Sequence, residues 1–434
     1  MDRRRGSLVV LVAAALAAWG LPPGGPAAQS QTGRTPDHTG SGSCSSSHCH
    51  GSLRPRTDQR IPQDEHTVWV TKDEHAQAYA HLLGERSRTI ARNLGLPGSP
   101  EKEPRCLDCH ALNVPEERRG RTFDLADGVS CESCHGPAED WLGPHTTRGW
   151  SHEQSLALGM IDTKDPLVRA ETCSRCHVGG DGRVVDHQLY AAGHPELVFE
   201  MQWASASMPR HWKEPRDRGT AFPARLWAVG QAVHLRDQMR RAAAARPSDG
   251  WPESAERDCG SCHHDLMHKS WRQERGYRGR PGDPPVDLAR WRVLAPLARQ
   301  AAPETAAAME AAAAELAQGR ADIAEAASRM ASSAAELVKR LASPAADLGE
   351  EAARRLMSAL AADPAPAREF GYRGAGQIAM SLDALAASSP RAPVDEAIDR
   401  LFGTLQDPIR YDPDAFARAL ADVARALDGR DAPR

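Results

Sequence analysis

Apolar and polar positions divide the 434-residue chain into regions of different character. Leu8 to Trp19 is an apolar run behind three arginines, the pattern of a secretory signal peptide, and small residues around Ala27-Ala28 suit cleavage. The run is shorter than the roughly 20 residues of a membrane span, and an uncleaved anchor is the alternative. We therefore expect residues 1–28 to be a signal peptide and the polar residues 29–43 a flexible tether.

The next region, residues 44–283, has few long periodic runs and many Gly and Pro breaks. Short helical patches are predicted at Asp73–Leu83 and Ala224–Arg241. From residue 284 to residue 434 alanine dominates and apolar residues recur at helical spacing, which predicts a bundle of about five amphipathic helices. Their predicted starts are Pro303, Ala321-Asp-Ile, Pro344, Pro393 and Asp412-Pro-Asp.

All ten cysteines belong to pairs that a histidine follows directly. Four pairs have a two-residue spacer: Cys106/Cys109 with His110, Cys131/Cys134 with His135, Cys173/Cys176 with His177, and Cys259/Cys262 with His263. C-x-x-C-H is the attachment signature of c-type haem, in which the two thiols bond the porphyrin vinyl groups and the histidine ligates the iron. The four motifs predict four covalently bound haems c.

The first pair, Cys44 and Cys49 with His50, has a four-residue spacer. We expect a fifth haem c there, because His50 stands in the usual place, although Cys44 and Cys49 could instead close a small disulfide loop. Zinc ribbons do not need a histidine after each pair, and disulfide scaffolds are usual in short secreted chains. The predicted fold is therefore mostly α: a multihaem cytochrome c domain with extensive irregular haem-wrapping loops, followed by the C-terminal α-helical bundle.

Export and covalent haem support each other, since bacteria attach haem c outside the cytoplasm. We expect a periplasmic or otherwise extracytoplasmic protein. The net charge of −4 argues against nucleic acid as a partner and suits a basic redox protein.

Several elements resemble the cytochrome c-554-like multihaem family. They are the block from His66-Thr-Val-Trp69 to Asp73-Glu-His75-Ala-Gln-Ala-Tyr79, the motif ending at His110, and Gly128-Val-Ser-Cys131-Glu-Ser-Cys134-His135-Gly136-Pro137. Later elements around Gly193-His194-Pro195, His211-Trp212 and Cys262-His263-His264 look like a five-haem branch. The resemblance implies an extracytoplasmic electron-transfer protein. The fifth haem, the widened first motif and the helical C-terminal region depart from the four-haem type.

The resemblance also implies distal iron ligands. His75 looks like the distal ligand of the third haem, opposite His135, and His145 like that of the fourth, opposite His177. His194 and His211 lie in Gly- and Pro-framed segments that could fold back over a haem, and His264 could reach an adjacent haem. Eight other histidines are expected to be ordinary polar residues: His38, His48, His66, His81, His152, His187, His234 and His268.

The leading functional hypothesis is a periplasmic carrier that passes electrons through five haems between redox partner proteins. The alternative is a haem enzyme with one open iron acting on a small nitrogen-oxide or sulfur species. The second haem, at His110, is then the candidate, because the resemblance to the c-554 type implies an open iron at that position. A third hypothesis is a haem-bearing module that associates peripherally with a respiratory complex. The C-terminal helices could also form a homo-oligomer interface. No catalytic acid–base constellation stands out.

Overall fold

The computed structural model describes residues 34–57, 61–213, 219–245, 253–261, 263, 284–318 and 322–429. Within these ranges the chain is mostly helical, and extended pairing is limited to two isolated bridges, His38 with Arg119 and Arg257 with Val286. The predicted fold class is confirmed. The predicted signal peptide, Cys262 and His264 lie outside the described residues. Among the described helices, none is long and apolar enough to cross a membrane.

The first part of the chain consists of short helices joined by loops and single 3₁₀ turns. These helices are α1 Glu65–Lys72, α2 Ala78–Leu82, α3 Glu85–Asn93, α4 Pro104–His110, α5 Cys131–His135, α6 His152–Ala157, α7 Pro166–Ser174, α8 His187–Ala192 and α9 Met201–Ser207. Some buried apolar residues here form small separate clusters, such as Leu82 with Leu107 and Ile90 with Leu189, whereas those of α7 and α9 pack on the large core of the second part. This part of the chain therefore builds little continuous core from its own side chains.

The second part is a helical bundle around one large core. Its helices are α10 Phe222–Ala244, α11 Ala289–Ala301, α12 Pro303–Gln318, α13 Ile323–Ala342, α14 Glu350–Ala361, α15 Ala365–Glu369, α16 Gly371–Ala386, α17 Ala392–Gly403 and α18 Pro413–Leu427. α10 packs against α13, α11 and α16, and most of its residues are buried. Trp227, at its centre, is fully buried.

The predicted helix starts agree with the structure at four of five positions. Pro303 opens α12, the Asp322 and Asp412 side chains cap α13 and α18, and α17 has a proline in its first turn. The predicted start at Pro344 is wrong, because a turn follows Ser343 and α14 begins only at Glu350. Three helices, α11, α15 and α16, were not predicted; the Gly-Tyr-Arg-Gly-Ala-Gly opening of α16 reads as a breaker rather than a helix.

Two boundaries differ from those expected. α10 shares one core with the helices after residue 284, so the helical bundle begins at Phe222, although the sequence placed that stretch in the haem-wrapping domain. The tether predicted over residues 29–43 is held down at its end. The backbone N–H groups of Thr39 and Gly40 donate to the Glu132 carboxylate at 2.9 and 2.7 Å, and His38 pairs with Arg118 and Gly120.

Two glycines of α16 provide a matched test of its packing. A Cβ atom at Gly374 would lie 2.0 Å from the carbonyl oxygen of Pro366, whereas one at Gly376 would meet nothing within 4 Å. We expect Gly374→Ala to lower the free energy of unfolding by about 1–3 kcal/mol through overpacking. Gly376→Ala should be neutral or raise it by up to about 1 kcal/mol, because alanine favours helix. Thermal unfolding of both variants checks this, and equal effects would contradict the packing.

Candidate haem sites

The second, third and fourth haem attachment motifs lie on tight helical turns. α4 and α5 end with the histidines of the second and third motifs, and α7 runs into a π-helical turn, Arg175–Gly179, that carries the fourth. Cys259 opens a 3₁₀ turn. Residues three and four apart lie on the same side of a helix, so both thiols and the following imidazole of a C-x-x-C-H turn are directed the same way. The turns of the second, third and fourth motifs therefore each present two thiols and an imidazole to one side.

The widened first motif forms a closed loop without a helix. The His50 backbone N–H donates to the Cys44 carbonyl at 3.1 Å, and the Cys49 N–H donates to Ser46 at 2.8 Å. Gly51 is needed here, because a Cβ atom would lie 1.8 Å from the Ser45 carbonyl oxygen. Cys44 and Cys49 are free thiols rather than the alternative disulfide. The longer spacer is thus folded back so that His50 still follows directly beside Cys44.

Five histidines have the Nδ1 atom engaged by a local partner. Nδ1 lies 2.9 Å from Glu65 in His50 and 2.9 Å from Asp73 in His75. In the other three the partner is a carbonyl oxygen: Ala78 for His110 at 2.9 Å, Leu142 for His145 at 2.5 Å, and Pro195 for His194 at 2.8 Å. A carbonyl only accepts, so Nδ1 carries the proton there and Nε2 keeps a free lone pair. This is the arrangement of metal-ligating histidines.

Charge and burial shift the pKa values of the candidate ligand histidines in opposite directions. Hydrogen bonding to the Glu65 and Asp73 carboxylates raises the pKa of His50 and His75. Burial lowers the pKa of His135 and of His177 to about 4. Both are therefore neutral at physiological pH, which is the form that binds a metal.

Eight histidines face each other in four pairs. The ring centroids are 6.2 Å apart for His50 with His145, 5.8 Å for His75 with His177, 6.5 Å for His110 with His194 and 6.2 Å for His187 with His263. The ring planes are nearly parallel in the first pair, at 8°, nearly perpendicular in the next two, at 87° and 83°, and at 44° in the last. Each pair contains one histidine of an attachment motif.

This spacing fits an iron between the two rings. Imidazole nitrogens bind metal ions at about 2 Å, and each ring centroid lies a further ~1 Å behind its nitrogen, so two axial imidazoles have centroids about 6 Å apart. All four pairs agree with that value. Among the described residues, no cluster of three or more His, Cys, Asp or Glu side chains could hold a bare metal ion. The residues present therefore fit haem better than a protein-ligated metal.

The pairing differs from that implied by the family resemblance. His75 faces His177 of the fourth motif rather than His135 of the third, and His145 faces His50 of the first motif rather than His177. The reason is tertiary: Asp73 orients His75 toward the π-helical turn, while the turn Pro144–Thr146 sets His145 over the first motif. His194 stands opposite His110, so the second haem site, which the alternative hypothesis took as open, faces a second imidazole.

His187 is a pairing residue that the sequence did not single out. It opens α8, where the Asp186 side chain caps the helix, and its ring faces His263. His211 is the remaining predicted distal ligand. It is half-buried beside Trp212, and its charge acts on the third-motif histidine, His135, although the two rings do not form a pair like the other four.

The motifs themselves are close neighbours. The thiols of Cys44 and Cys131 are close neighbours, and so are those of Cys109 and Cys176; the neighbouring thiol raises the pKa of Cys131 and of Cys109. The charge of Cys176 also acts on Cys134. The first motif is thus adjacent to the third, the second to the fourth, and the third to the fourth.

Helical C-x-x-C-H turns opposite anchored imidazoles are the arrangement that a c-type cytochrome requires. The family model described as Cytochrome c554 and c-prime matches residues 43–136. Cytochrome c-554 of Nitrosomonas europaea is 31% identical over 88 residues, which are 18% of this chain and 36% of the relative. The chain thus spans about a third of that relative's length. No solved structure matches the chain. The expected resemblance is supported over residues 43–136, and proteins of that family bind haem c covalently.

Proposed function

We propose that the protein is an exported electron carrier with five covalently bound haems c, four of them ligated by two histidines. The observation that carries this proposal is the set of four imidazole pairs at the spacing of axial ligands. Two histidines on one iron block both faces and leave little to reorganise when an electron arrives. That coordination favours electron transfer over substrate binding.

The positions of the motifs support one electron route. Thiol neighbours connect the first haem to the third and the second to the fourth, and Cys134 near Cys176 connects the third to the fourth. His187 opens α8 and His194 follows its end, about 10 Å apart at 1.5 Å per residue, so the fifth haem adjoins the second. The route then runs first, third, fourth, second, fifth.

A second candidate function is a haem enzyme, and the structure favours a different haem from the one expected. Only His135, among the five motif histidines, has no imidazole partner at pair spacing within the described residues. An open iron above His135 could bind a small nitrogen-oxide or sulfur species. Closure of that site by His211 would instead complete a five-haem carrier.

Low-temperature EPR of the oxidised protein tests both candidates, with haem per chain set by pyridine haemochrome. We expect five haems and mostly low-spin iron. The parallel rings of His50 and His145 should give an ordinary rhombic signal, and the perpendicular pairs should give strongly anisotropic signals with large maximum g values. A high-spin signal that nitric oxide removes would favour the enzyme. Fewer than five haems would contradict the proposal.

The partners proposed are redox proteins in the periplasm, where the predicted signal peptide would deliver the chain. The net negative charge suits a basic donor or acceptor that docks by electrostatic steering. The helical bundle is the candidate surface for self-association or for docking on a respiratory complex. Affinity purification of the haem-loaded chain from periplasm tests these proposed partners. Recovery of the chain with nucleic acid alone would contradict them.

Asp73 should tune the haem ligated by His75. Its carboxylate binds Nδ1 of His75 and makes the imidazole a stronger donor, which stabilises ferric iron. We expect Asp73→Asn to raise that haem's midpoint potential by on the order of 59 mV, the one-electron equivalent of a tenfold change. Glu74→Gln is the matched control, because Glu74 is exposed and reaches His81 instead. Potentiometric titration checks this; equal shifts in both variants would contradict it.

A further inference from the structure

The polar face of α10 is buried but poorly satisfied. Trp227, Gln231, His234 and Gln238 are spaced four, three and four residues apart, so they share one side of the helix. Each of the four has a buried polar atom without a hydrogen-bond partner among the described residues, and His234 has two, Nδ1 and Nε2. The hydroxyl of Ser381 on α16 is in the same state. Such groups in proteins are usually satisfied by internal water. This face spans about 16 Å at 1.5 Å per residue.

This face reaches the fourth haem site through one aromatic ring. Phe199 stacks on His177 with centroids 4.5 Å apart and planes at 17°, and it lies 5.2 Å from the ring of His234. Gln377 joins the same cluster, since its amide donates to the Phe199 carbonyl at 3.3 Å and accepts from Gln231 at 3.2 Å. The polar face of α10 therefore contacts Phe199, and Phe199 in turn stacks on the candidate iron ligand His177.

Glu200 is an acid at this end of the cluster. It directly follows Phe199 and is fully buried, and its two carboxylate oxygens accept from the N–H groups of Gln202 and Trp203 at 3.1 and 2.7 Å. Burial raises the pKa of Glu200 to about 7. Its proton occupancy at neutral pH is therefore sensitive to a nearby change of charge.

The charged and titratable groups around Glu200 and His234 come from every packed element. Arg290 of α11 and Asp383 of α16 act on Glu200, whereas His177 of the π-helical turn, Arg236 and Arg241 of α10 and again Arg290 act on His234. Arg290 acts on both Glu200 and His234, and its Nη1 lies 3.5 Å from the Gln377 oxygen. The Arg290 charge lowers the pKa of both groups, so it opposes the effect of burial on Glu200 and adds to the effect of burial on His234.

We propose that Glu200 takes up a proton when the haem at His177 is reduced, and that bound water along the polar face of α10 carries the proton to it. This inference rests on the proposed function, because it needs haem at His177. One electron from a one-electron donor protein reduces ferric to ferrous iron, and one proton from solvent forms an O–H bond with the Glu200 carboxylate. The added negative charge at the iron is what raises the proton affinity.

Proton uptake on full reduction tests the proposal. Haem-loaded protein is reduced stoichiometrically in weakly buffered solution at pH 7.5, with a pH indicator. We expect Glu200→Gln to take up fewer protons than wild type, by a deficit approaching one per chain, since glutamine keeps the helix-capping oxygen but cannot titrate. Glu304→Gln, at the exposed start of α12, is the matched control and should behave as wild type.

The outcomes separate the two proposals. An unchanged haem count with equal uptake in wild type and Glu200→Gln would overturn the proton site alone, whereas chains without haem would overturn the proposed function. Wild-type protein gives an independent readout if the variant does not fold. Its reduced-minus-oxidised infrared spectrum should show a protonated carboxyl band that shifts in D₂O, and a spectrum without such a band would overturn the proposal.

Discussion

His187→Ala should convert one haem from low-spin to high-spin iron. The His187 ring faces the His263 ring at 6.2 Å, and α8 fixes it there through the Asp186 cap. Alanine removes the sixth ligand of that iron, and no other described imidazole forms a pair with His263. One haem in five should then give a high-spin EPR signal and bind cyanide or carbon monoxide.

His152→Ala is the control for this variant. His152 is also half-buried, but its Nε2 atom is bound to Asp162 at 3.0 Å, and its ring forms no pair with a described motif histidine. We expect its EPR spectrum to match wild type, with all haems retained. A His187→Ala spectrum without a new high-spin signal would mean that another group ligates the fifth iron.

The sequence identified the attachment residues because their chemistry is local. Two thiols and an imidazole must lie within one turn, so spacing alone reveals them, and Cys106 with His110 needs no tertiary information. Distal ligands are set by packing between distant segments. His187 lies 76 residues before His263, and the sequence around it has no mark except the preceding Asp186 cap.

The hydrogen-bond partners of the imidazoles offer a partial signal for the iron ligands. Asp73 stands two residues before His75, and the carbonyl that orients His194 belongs to the next residue, Pro195, so both anchors are local. Glu65 orients His50 from fifteen residues away and would not be found by spacing. A carboxylate close to a histidine in sequence therefore indicates an oriented imidazole but not the iron it ligates.

The limit of the helical bundle was missed for a related reason. α10 is buried on nearly all sides and carries Gln231, His234, Arg236 and Asp237 among its buried residues. A helix that is enclosed all round shows little one-sided periodicity, so its sequence gives no sign of which partners cover it. Ser174 on α7 hydrogen-bonds Asp237 at 2.8 Å, which ties the bundle to the fourth motif.

The double variant Cys44→Ser/Cys49→Ser should bind four haems instead of five. The loop from Cys44 to Gly51 folds so that the His50 ring lies parallel to the His145 ring, with centroids 6.2 Å apart, and Glu65 binds Nδ1 of His50. This arrangement suits two axial ligands of one iron, although the spacer is longer than that of the standard motif. Serine hydroxyls form no thioether, so haem would be lost from this site during maturation or on denaturation. The rhombic EPR signal of the parallel pair should disappear with it.

Ser47→Ala, within the same spacer, is the matched control, because Ser47 is exposed and its hydroxyl contacts only the neighbouring His48 ring among the described contacts. It should retain five haems. Pyridine haemochrome per chain and the mass of the denatured protein, which counts covalent haems directly, decide the result. Equal haem numbers in the double variant and wild type would mean that Cys44 and Cys49 attach no haem, and the parallel pairing of His50 and His145 would then need a noncovalent ligand to explain it.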